Sequence, residues 1–200
     1  MPFSGRSLIM RPVKGKIMKV VSIVGMTGAG KSEVASLFEE SGFIKIRFGD
    51  VTDKEVGKRG LKLNEENERQ VRELLRQEYG MAAYAMLNLP KIDLARKQTD
   101  VVIDGLYSWE EYTFLKAYCG GDFYVVAVWA SPETRYRRLA RRSVRRLKRE
   151  EAARRDRAEV EKVNKGGPIA MANFTILNES SLKELRREVK GVISRLGGGA

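Results

Sequence analysis

The chain contains no histidine and only one cysteine among its 200 residues. The absence of histidine excludes imidazole catalysis and histidine-ligated metal sites. A single cysteine, Cys119, excludes an intramolecular disulfide framework and is typical of the reducing cytosol, so we expect a cytoplasmic protein. No apolar run approaches the roughly 18 residues of a membrane span, and we therefore expect no membrane partner.

The charge of the chain is strongly unbalanced. Thirty-eight lysines and arginines stand against 26 acidic residues, which gives a net charge of +12. This balance favours phosphate-rich partners but does not choose between nucleotides, coenzymes and nucleic acids. The length suits one α/β domain, which we place at residues 17–196. We expect residues 1–16 to be a disordered extension and residues 197–200 a flexible tail.

The most informative segment is residues 25–32, which match the phosphate-loop pattern Gly-x-x-x-x-Gly-Lys-Ser. The glycines allow consecutive backbone N–H groups to surround an anion. Lys31 is expected to reach the β- and γ-phosphates, and the Ser32 hydroxyl to hold Mg²⁺. The predicted nucleotide ligands are Gly25, Met26, Thr27, Gly28, Ala29, Gly30, Lys31 and Ser32.

The segments around this loop have the context that the motif requires. An apolar strand pattern at residues 20–24 precedes it, and an amphipathic helix pattern at residues 33–40 follows. Strand and helix patterns then alternate, which predicts an α/β fold with a parallel five-stranded sheet covered by helices on both faces. The other predicted strands are residues 43–48, 101–105, 123–129 and 174–177.

Two helical regions show clear start and stop signals. Asn64 is a good N-cap for a helix over residues 65–79. Pro90 predicts a break between one helix at residues 81–88 and another at residues 91–98, because the residue before a proline disfavours the helical conformation.

Carboxylates follow two of the predicted strands, at the edge of the sheet where ligands bind in such folds. Asp104 ends an apolar strand, where an acidic residue can order Mg²⁺ through water; the alternative is a turn-capping residue before Gly105. Asp50 follows the second strand. It could accept a proton from an attacking hydroxyl, hold an arginine, or cap the next helix.

A belt of eleven arginines and one lysine spans residues 135–157. Apolar residues recur within it three to four positions apart, which predicts a helix with one packed face and cationic remaining faces. We expect two or three of these arginines to bind phosphate, and the rest to be solvated. Nucleic-acid binding is the alternative, although the belt lacks interleaved aromatic residues and a recognisable nucleic-acid module.

Taken together, these residues resemble adenylate-kinase-like and dephospho-CoA-kinase-like P-loop kinases, and in particular an archaeal adenylate-kinase-related family. The resemblance covers roughly residues 18–196. Its specific segments are residues 24–32, 48–51, 102–105, 130–135 and 176–185.

The resemblance implies a nucleoside-monophosphate-kinase-like arrangement, with an acceptor-binding segment at about residues 50–88. Asp50 matches the acidic residue that serves dephospho-CoA kinases as base toward the acceptor hydroxyl. Within the same segment, the candidate acceptor contacts are Arg59, Arg69 and Arg72.

The resemblance also implies a lid at about residues 142–168, with residues 166–168 as a hinge. Its candidate phosphate-binding arginines are Arg142, Arg155 and Arg157. One departure concerns the acceptor: where adenylate kinases place an arginine that grips AMP, this chain has Tyr107 and Ser108. AMP is therefore in doubt as the substrate, whereas ATP binding is unaffected.

The sequence thus predicts an ATP- and Mg²⁺-dependent kinase that phosphorylates a small phosphate-bearing acceptor, either a nucleotide or a coenzyme precursor. The metal ligands would be Ser32 and Asp104, and the catalytic residues Lys31, Asp50, Arg142, Arg155 and Arg157. The alternative is an ATP-binding regulatory or RNA-associated slow ATPase whose arginine belt binds a polyanion.

Overall fold

The computed structural model describes residues 18–197. The predicted extension at residues 1–16 and residues 198–200 of the predicted tail lie outside the described part. Gly197, which the sequence assigned to the tail, is the last residue of a helix.

A five-stranded sheet forms the centre of the fold, in the order β2-β3-β1-β4-β5, and every neighbouring pair of strands is parallel. Strand β1 is central and fully buried, because helices cover both faces of the sheet. The predicted parallel five-stranded sheet is therefore confirmed. The strands are β1 (Val20–Val24), β2 (Ile44–Arg47), β3 (Val101–Asp104), β4 (Phe123–Trp129) and β5 (Phe174–Leu177).

Nine α-helices surround the sheet within residues 18–197. Helices α1 and α9 pack on one face around Phe38 and Val189. Helices α2 to α5 pack on the other around Tyr84 and Leu115. No helix in this part of the chain is long and apolar enough to cross a bilayer. The helices are α1 (Lys31–Glu40), α2 (Asp50–Lys58), α3 (Glu65–Tyr79), α4 (Ala83–Arg96), α5 (Trp109–Cys119), α6 (Pro132–Ala140), α7 (Arg149–Glu161), α8 (Gly166–Ala170) and α9 (Leu182–Gly197).

Of the two predictions for helix boundaries, the structure confirms the cap at Asn64 and contradicts the break at Pro90. Asn64 caps α3 as predicted, since its side chain accepts a hydrogen bond of 2.9 Å from the Asn67 amide. The predicted break at Pro90 is wrong, because α4 continues through it. Pro90 lies on the exposed face of α4, one turn after Met86, which is 43% exposed. The Met86 carbonyl that proline leaves without a partner can therefore bind water.

The periodicity of the arginine belt predicted one amphipathic helix, and this prediction is wrong, because the belt forms two helices. Helix α6 ends at Ala140, and α7 begins at Arg149. Between them Arg145 has a positive φ of 56° and Val144 is 70% exposed. The chain turns back here because Leu147 joins a small apolar cluster with Leu139 and Ala152. The turn aims Arg145 away from the outer surface of the belt.

Candidate active site

The loop at residues 25–32 joins the end of β1 to the start of α1. Gly25, Gly28 and Gly30 have φ values of 150°, 86° and 99°, a region that side chains rarely adopt. A Cβ atom at Gly25 would collide with the Val128 carbonyl oxygen, and one at Gly30 with the Asn178 side chain. The glycines are thus required by the backbone conformation and by the close approach of β4 and of the residue after β5.

The loop presents backbone donors without protein partners. Gly30 precedes α1 and supplies no side-chain cap. Within residues 18–197 the amides of Gly28, Gly30, Lys31 and Ser32 donate to no protein acceptor. Four unpaired N–H groups at a helix N-terminus form a cradle for a phosphate group, and the helix dipole adds to its attraction.

Lys31 folds back over this cradle. Its Nζ donates hydrogen bonds of 2.8 Å and 3.1 Å to the carbonyl oxygens of Gly25 and Met26. Burial, followed by the charge of Lys165, lowers the pKa of Lys31 to about 7, although Glu159 and Asp104 act in the opposite direction. A polyphosphate in the cradle would favour the charged form of this lysine.

Ser32 and Asp104, the predicted Mg²⁺ ligands, lie on neighbouring elements. Ser32 belongs to the first turn of α1, and Asp104 ends β3, which pairs with β1. Neither side chain has a hydrogen-bond partner in the described part of the chain. Free hydroxyl and carboxylate oxygens suit Mg²⁺, which normally also takes water and substrate phosphate oxygens. No group of three or more acidic or cysteine side chains among the described residues could hold a metal without them.

Asp50 is the first residue of α2, and an arginine holds it, one of the roles that the sequence allowed. Its Oδ1 accepts a hydrogen bond of 2.8 Å from Arg47, which also binds Asp53 at 2.6 Å. Although burial acts in the opposite direction, Asp53 and Asp50 raise the pKa of Arg47 above its usual range. Gly49, and not Asp50, occupies the N-cap position of α2.

The three predicted acceptor arginines have different surroundings. Arg72 lies in a charge network, 2.8 Å from Glu65 and 3.5 Å from Glu68. Arg59 pairs with Glu55 at the exposed end of α2. Arg69 is exposed on α3. The structure therefore brings Arg72 into the network, and leaves Arg59 and Arg69 outside it.

The same network includes Arg145, which no sequence pattern distinguishes from the other arginines of the belt. This residue of the predicted lid lies 2.7 Å from Glu68 and 3.3 Å from Asp53. It thus connects the turn between α6 and α7 to both α2 and α3. The positive φ of Arg145 directs its side chain inward, and the helical periodicity of the belt does not predict this backbone conformation.

The predicted lid arginines divide in a similar way. Arg155 lies 3.0 Å from Glu65 and 3.4 Å from Glu159. Desolvation, followed by the charges of Arg155 and Arg145, lowers the pKa of Arg142. Arg142 has no carboxylate partner within the described residues. Arg157 is exposed, on a different face of α7 from Arg155. Arg142 thus lies within range of the charge of Arg155, whereas Arg157 lies on a different face of α7.

Two residues from distant parts of the sequence donate hydrogen bonds to carbonyl groups of the loop. Arg135 is buried, binds both carboxylate oxygens of Asp156 at 2.8 Å and 2.7 Å, and donates to the Thr27 carbonyl at 3.1 Å. Asn178 donates to the Ala29 carbonyl at 2.8 Å. The sequence signals for Arg135 are its place in the resemblance segment 130–135 and its position four residues before Leu139, on the apolar face of the helix.

Tyr107 and Ser108, which the resemblance to adenylate kinases places at the position of an AMP-binding arginine, support the fold. Tyr107 packs edge-on against Tyr84, with 5.4 Å between ring centroids. Ser108 caps α5 by accepting a hydrogen bond from the Glu111 amide, and donates to the Met81 carbonyl. Neither supplies a cation that could bind AMP.

Comparison with known proteins agrees with this geometry. The AAA domain family AAA_18 matches residues 21–162. A UPF0200 protein of Thermococcus onnurineus is 37% identical over 181 residues, which cover 88% of this chain and 97% of the relative. The chain belongs to the UPF0200 family. The AAA_18 match shows that this UPF0200 protein has a P-loop domain, in agreement with the free amides of Gly28, Gly30, Lys31 and Ser32.

Solved structures show that this UPF0200 chain has a kinase-like fold. Shikimate kinase from Bacteroides thetaiotaomicron matches with a TM-score of 0.60 and 15% identity, covering 90% of this chain and 99% of that one. A gluconokinase from Sinorhizobium meliloti matches with a TM-score of 0.57 and 16% identity, covering 91% and 95%. At these identities the likeness concerns the fold alone. The narrower resemblance to adenylate and dephospho-CoA kinases stays a prediction.

Proposed function

We propose that this UPF0200 protein is a cytoplasmic kinase that binds ATP with Mg²⁺ at residues 25–32. It transfers the γ-phosphoryl group to a small phosphate-bearing acceptor, a nucleotide or a coenzyme precursor. The observation that carries the proposal is the set of four free amides in the loop, joined by the Lys31 ammonium. Backbone donors in this arrangement match phosphate oxygens better than any neutral ligand.

The nucleotide side needs few side chains. Lys31 would exchange its two carbonyl contacts for phosphate oxygens, and its positive charge would stabilise negative charge on the transferred group. Ser32 and Asp104 would hold Mg²⁺, directly or through water. The metal ion neutralises charge on the phosphate oxygens.

The acceptor side lies between α2, α3 and the lid. Arg72, Arg142 and Arg145 supply positive charge there for an acceptor phosphate. Asp50 would orient or deprotonate the attacking hydroxyl once the acceptor phosphate competes for Arg47. Catalysis would then consist of positioning and electrostatic stabilisation, without a covalent intermediate.

An acceptor screen tests this proposal. The protein is incubated with Mg²⁺ and γ-labelled ATP, together with nucleoside monophosphates, dephospho-CoA or no acceptor. The proposal expects label to move to one acceptor, and this transfer to be lost in Lys31→Ala. Release of inorganic phosphate alone, at a rate that no small acceptor changes, would contradict a kinase.

A second function is favoured by the outer surface of the lid. Arg137, Arg141, Arg146, Arg154 and Arg157 are exposed there, and none has a carboxylate partner within residues 18–197. Such a surface suits a polyanion such as RNA, in which case the protein would be a slow ATPase. Binding through many arginines falls by orders of magnitude between low and moderate salt, whereas phosphorylation of a small acceptor depends far less steeply on salt.

A further inference from the structure

The side chain of Glu159, near the end of α7, reaches the phosphate loop from the lid. Its Oε1 accepts a hydrogen bond of 2.5 Å from the Thr27 hydroxyl, and its Oε2 one of 3.3 Å from the Thr27 amide. A carboxylate therefore already occupies one backbone donor of an anion-binding loop. The side chain is largely buried, with 13% of its surface exposed.

Two lid cations hold the same carboxylate. The Nζ atom of Lys165 lies 2.8 Å from Oε2, and Nε of Arg155 lies 3.4 Å from Oε1. The Lys165 side chain is only 3% exposed, and its Nζ lies 5.7 Å from the centre of the Tyr107 ring. Burial acts in the opposite direction, but Lys165, Lys31 and Arg155 hold the pKa of Glu159 well below its usual range. The carboxylate thus lies in a compact oxyanion site.

The position of this site along the loop indicates which oxyanion it fits. Glu159 takes the amide of Thr27 and leaves those of Gly28, Gly30, Lys31 and Ser32 free. The free amides are the part of the loop that cradles the inner phosphates, while Lys31 reaches toward the outer ones. A nucleoside diphosphate can therefore use the cradle with Glu159 in place, whereas a third phosphate would compete with this carboxylate.

We propose that Glu159 occupies the place of the terminal phosphate, and that Lys165 is a further catalytic residue that passes from Glu159 to this phosphate when ATP binds. Arg155 makes the same exchange. The inference rests on the ATP-binding part of the proposed function, but not on the identity of the acceptor. It predicts that the Glu159 contact selectively weakens the binding of nucleotides with a third phosphate.

The test compares the binding of ADP and of a non-hydrolysable ATP analogue to the full chain by titration calorimetry. Glu159→Gln should tighten analogue binding by about tenfold or more and leave ADP within about twofold, since it removes a charge that competes only with the third phosphate. Lys165→Gln should weaken analogue binding by a similar factor, with ADP again almost unchanged. Glu161→Gln, at an exposed position of the same helix, is the matched control and should alter neither.

A double variant, Glu159→Gln with Lys165→Gln, guards against unfolding caused by leaving one buried charge alone. It should fold and bind the analogue and ADP with nearly equal affinity. Equal shifts for both nucleotides in the single variants, or no shift in either, would overturn the inference and make the pair a purely structural latch. If the wild-type protein binds neither nucleotide, the proposed function itself fails.

Discussion

The proposed nucleotide side and the proposed acceptor side of the site are built in different ways. The loop at residues 25–32 offers unpaired backbone donors and one lysine. The proposed acceptor side consists of side-chain charges, and most of its arginines already have carboxylate partners: Arg47, Arg72 and Arg145 contact Asp50, Asp53, Glu65 and Glu68.

This difference has a consequence for selectivity. Backbone amides bind any phosphate group of suitable shape, at little reorganisation cost. Paired arginines must release their carboxylates before they can bind a ligand, so an anion gains little from charge alone. We therefore expect broad recognition of the inner nucleotide phosphates at the free amides of the loop and narrow recognition of the acceptor.

The largest effect is expected at the loop. Lys31→Ala should lower phosphoryl transfer from γ-labelled ATP by about a thousandfold, because it removes the cation at the developing charge. The melting temperature should not fall, since burial already disfavours the charged form of Lys31. Lys45→Ala, which breaks a surface pair with Glu39, is the control and should retain activity. An active Lys31→Ala protein would contradict the site.

The next effect concerns Arg135, which connects the phosphate loop at Thr27 to Asp156 of α7. Arg135→Met removes the cation from a pair whose side chains are 5% and 16% exposed, and leaves Asp156 with the Tyr136 hydroxyl alone among the described residues. The free energy of unfolding should fall by about 3–5 kcal/mol in urea titrations, as expected when a buried pair loses one member. Arg149→Met, whose pair with Glu133 is exposed to solvent, should show no measurable change. Equal losses in the two variants would refute the structural role of Arg135.

A smaller effect is expected on the acceptor side. Arg142 has no carboxylate partner among the described residues, so it can bind an acceptor phosphate without breaking a pair. Arg142→Ala should raise the KM for the acceptor about tenfold or more and leave the KM for ATP nearly unchanged. Arg154→Ala, at an exposed position of α7, is the matched control. A larger effect on the KM for ATP would move Arg142 to the nucleotide side.

The smallest effect is a proton linkage at Lys31. Its pKa of about 7 makes the neutral amine dominant at pH 8, whereas a bound polyphosphate favours the ammonium. Nucleotide binding at pH 8 should therefore take up about half a proton or more, and binding at pH 6 should take up almost none. Calorimetry in two buffers of different ionisation enthalpy measures this uptake. Persistence of the uptake in Lys31→Met would assign it to another group.

The features that sequence predicted correctly depend on local rules. The glycines of the loop, the buried strand before it and the Asn64 cap each act within a few residues. The parallel sheet followed from the alternation of strands and helices. The predicted break at Pro90 is wrong because a helix tolerates proline where the freed carbonyl faces solvent. The solvent exposure of a single position cannot be predicted from the local sequence.

The features that sequence missed depend on contacts between distant segments. Glu159 and Thr27 are 132 residues apart, and Arg145 and Glu68 are 77 apart. The sequence pattern does not distinguish the arginines of the belt from one another. The turn between α6 and α7 determines which of them face the site. Glu159 and Lys165 belong to no sequence motif, so their proposed role could be inferred only from the folded structure, in which they lie at the loop.

The most direct test of the account is hydrogen–deuterium exchange with and without Mg²⁺ and ATP. The account predicts that nucleotide slows exchange in peptides covering residues 28–32, because their free amides become donors to phosphate, and that Lys31→Ala weakens this protection. Protection confined to the exposed arginines of α6 and α7, with no change at the loop, would contradict it.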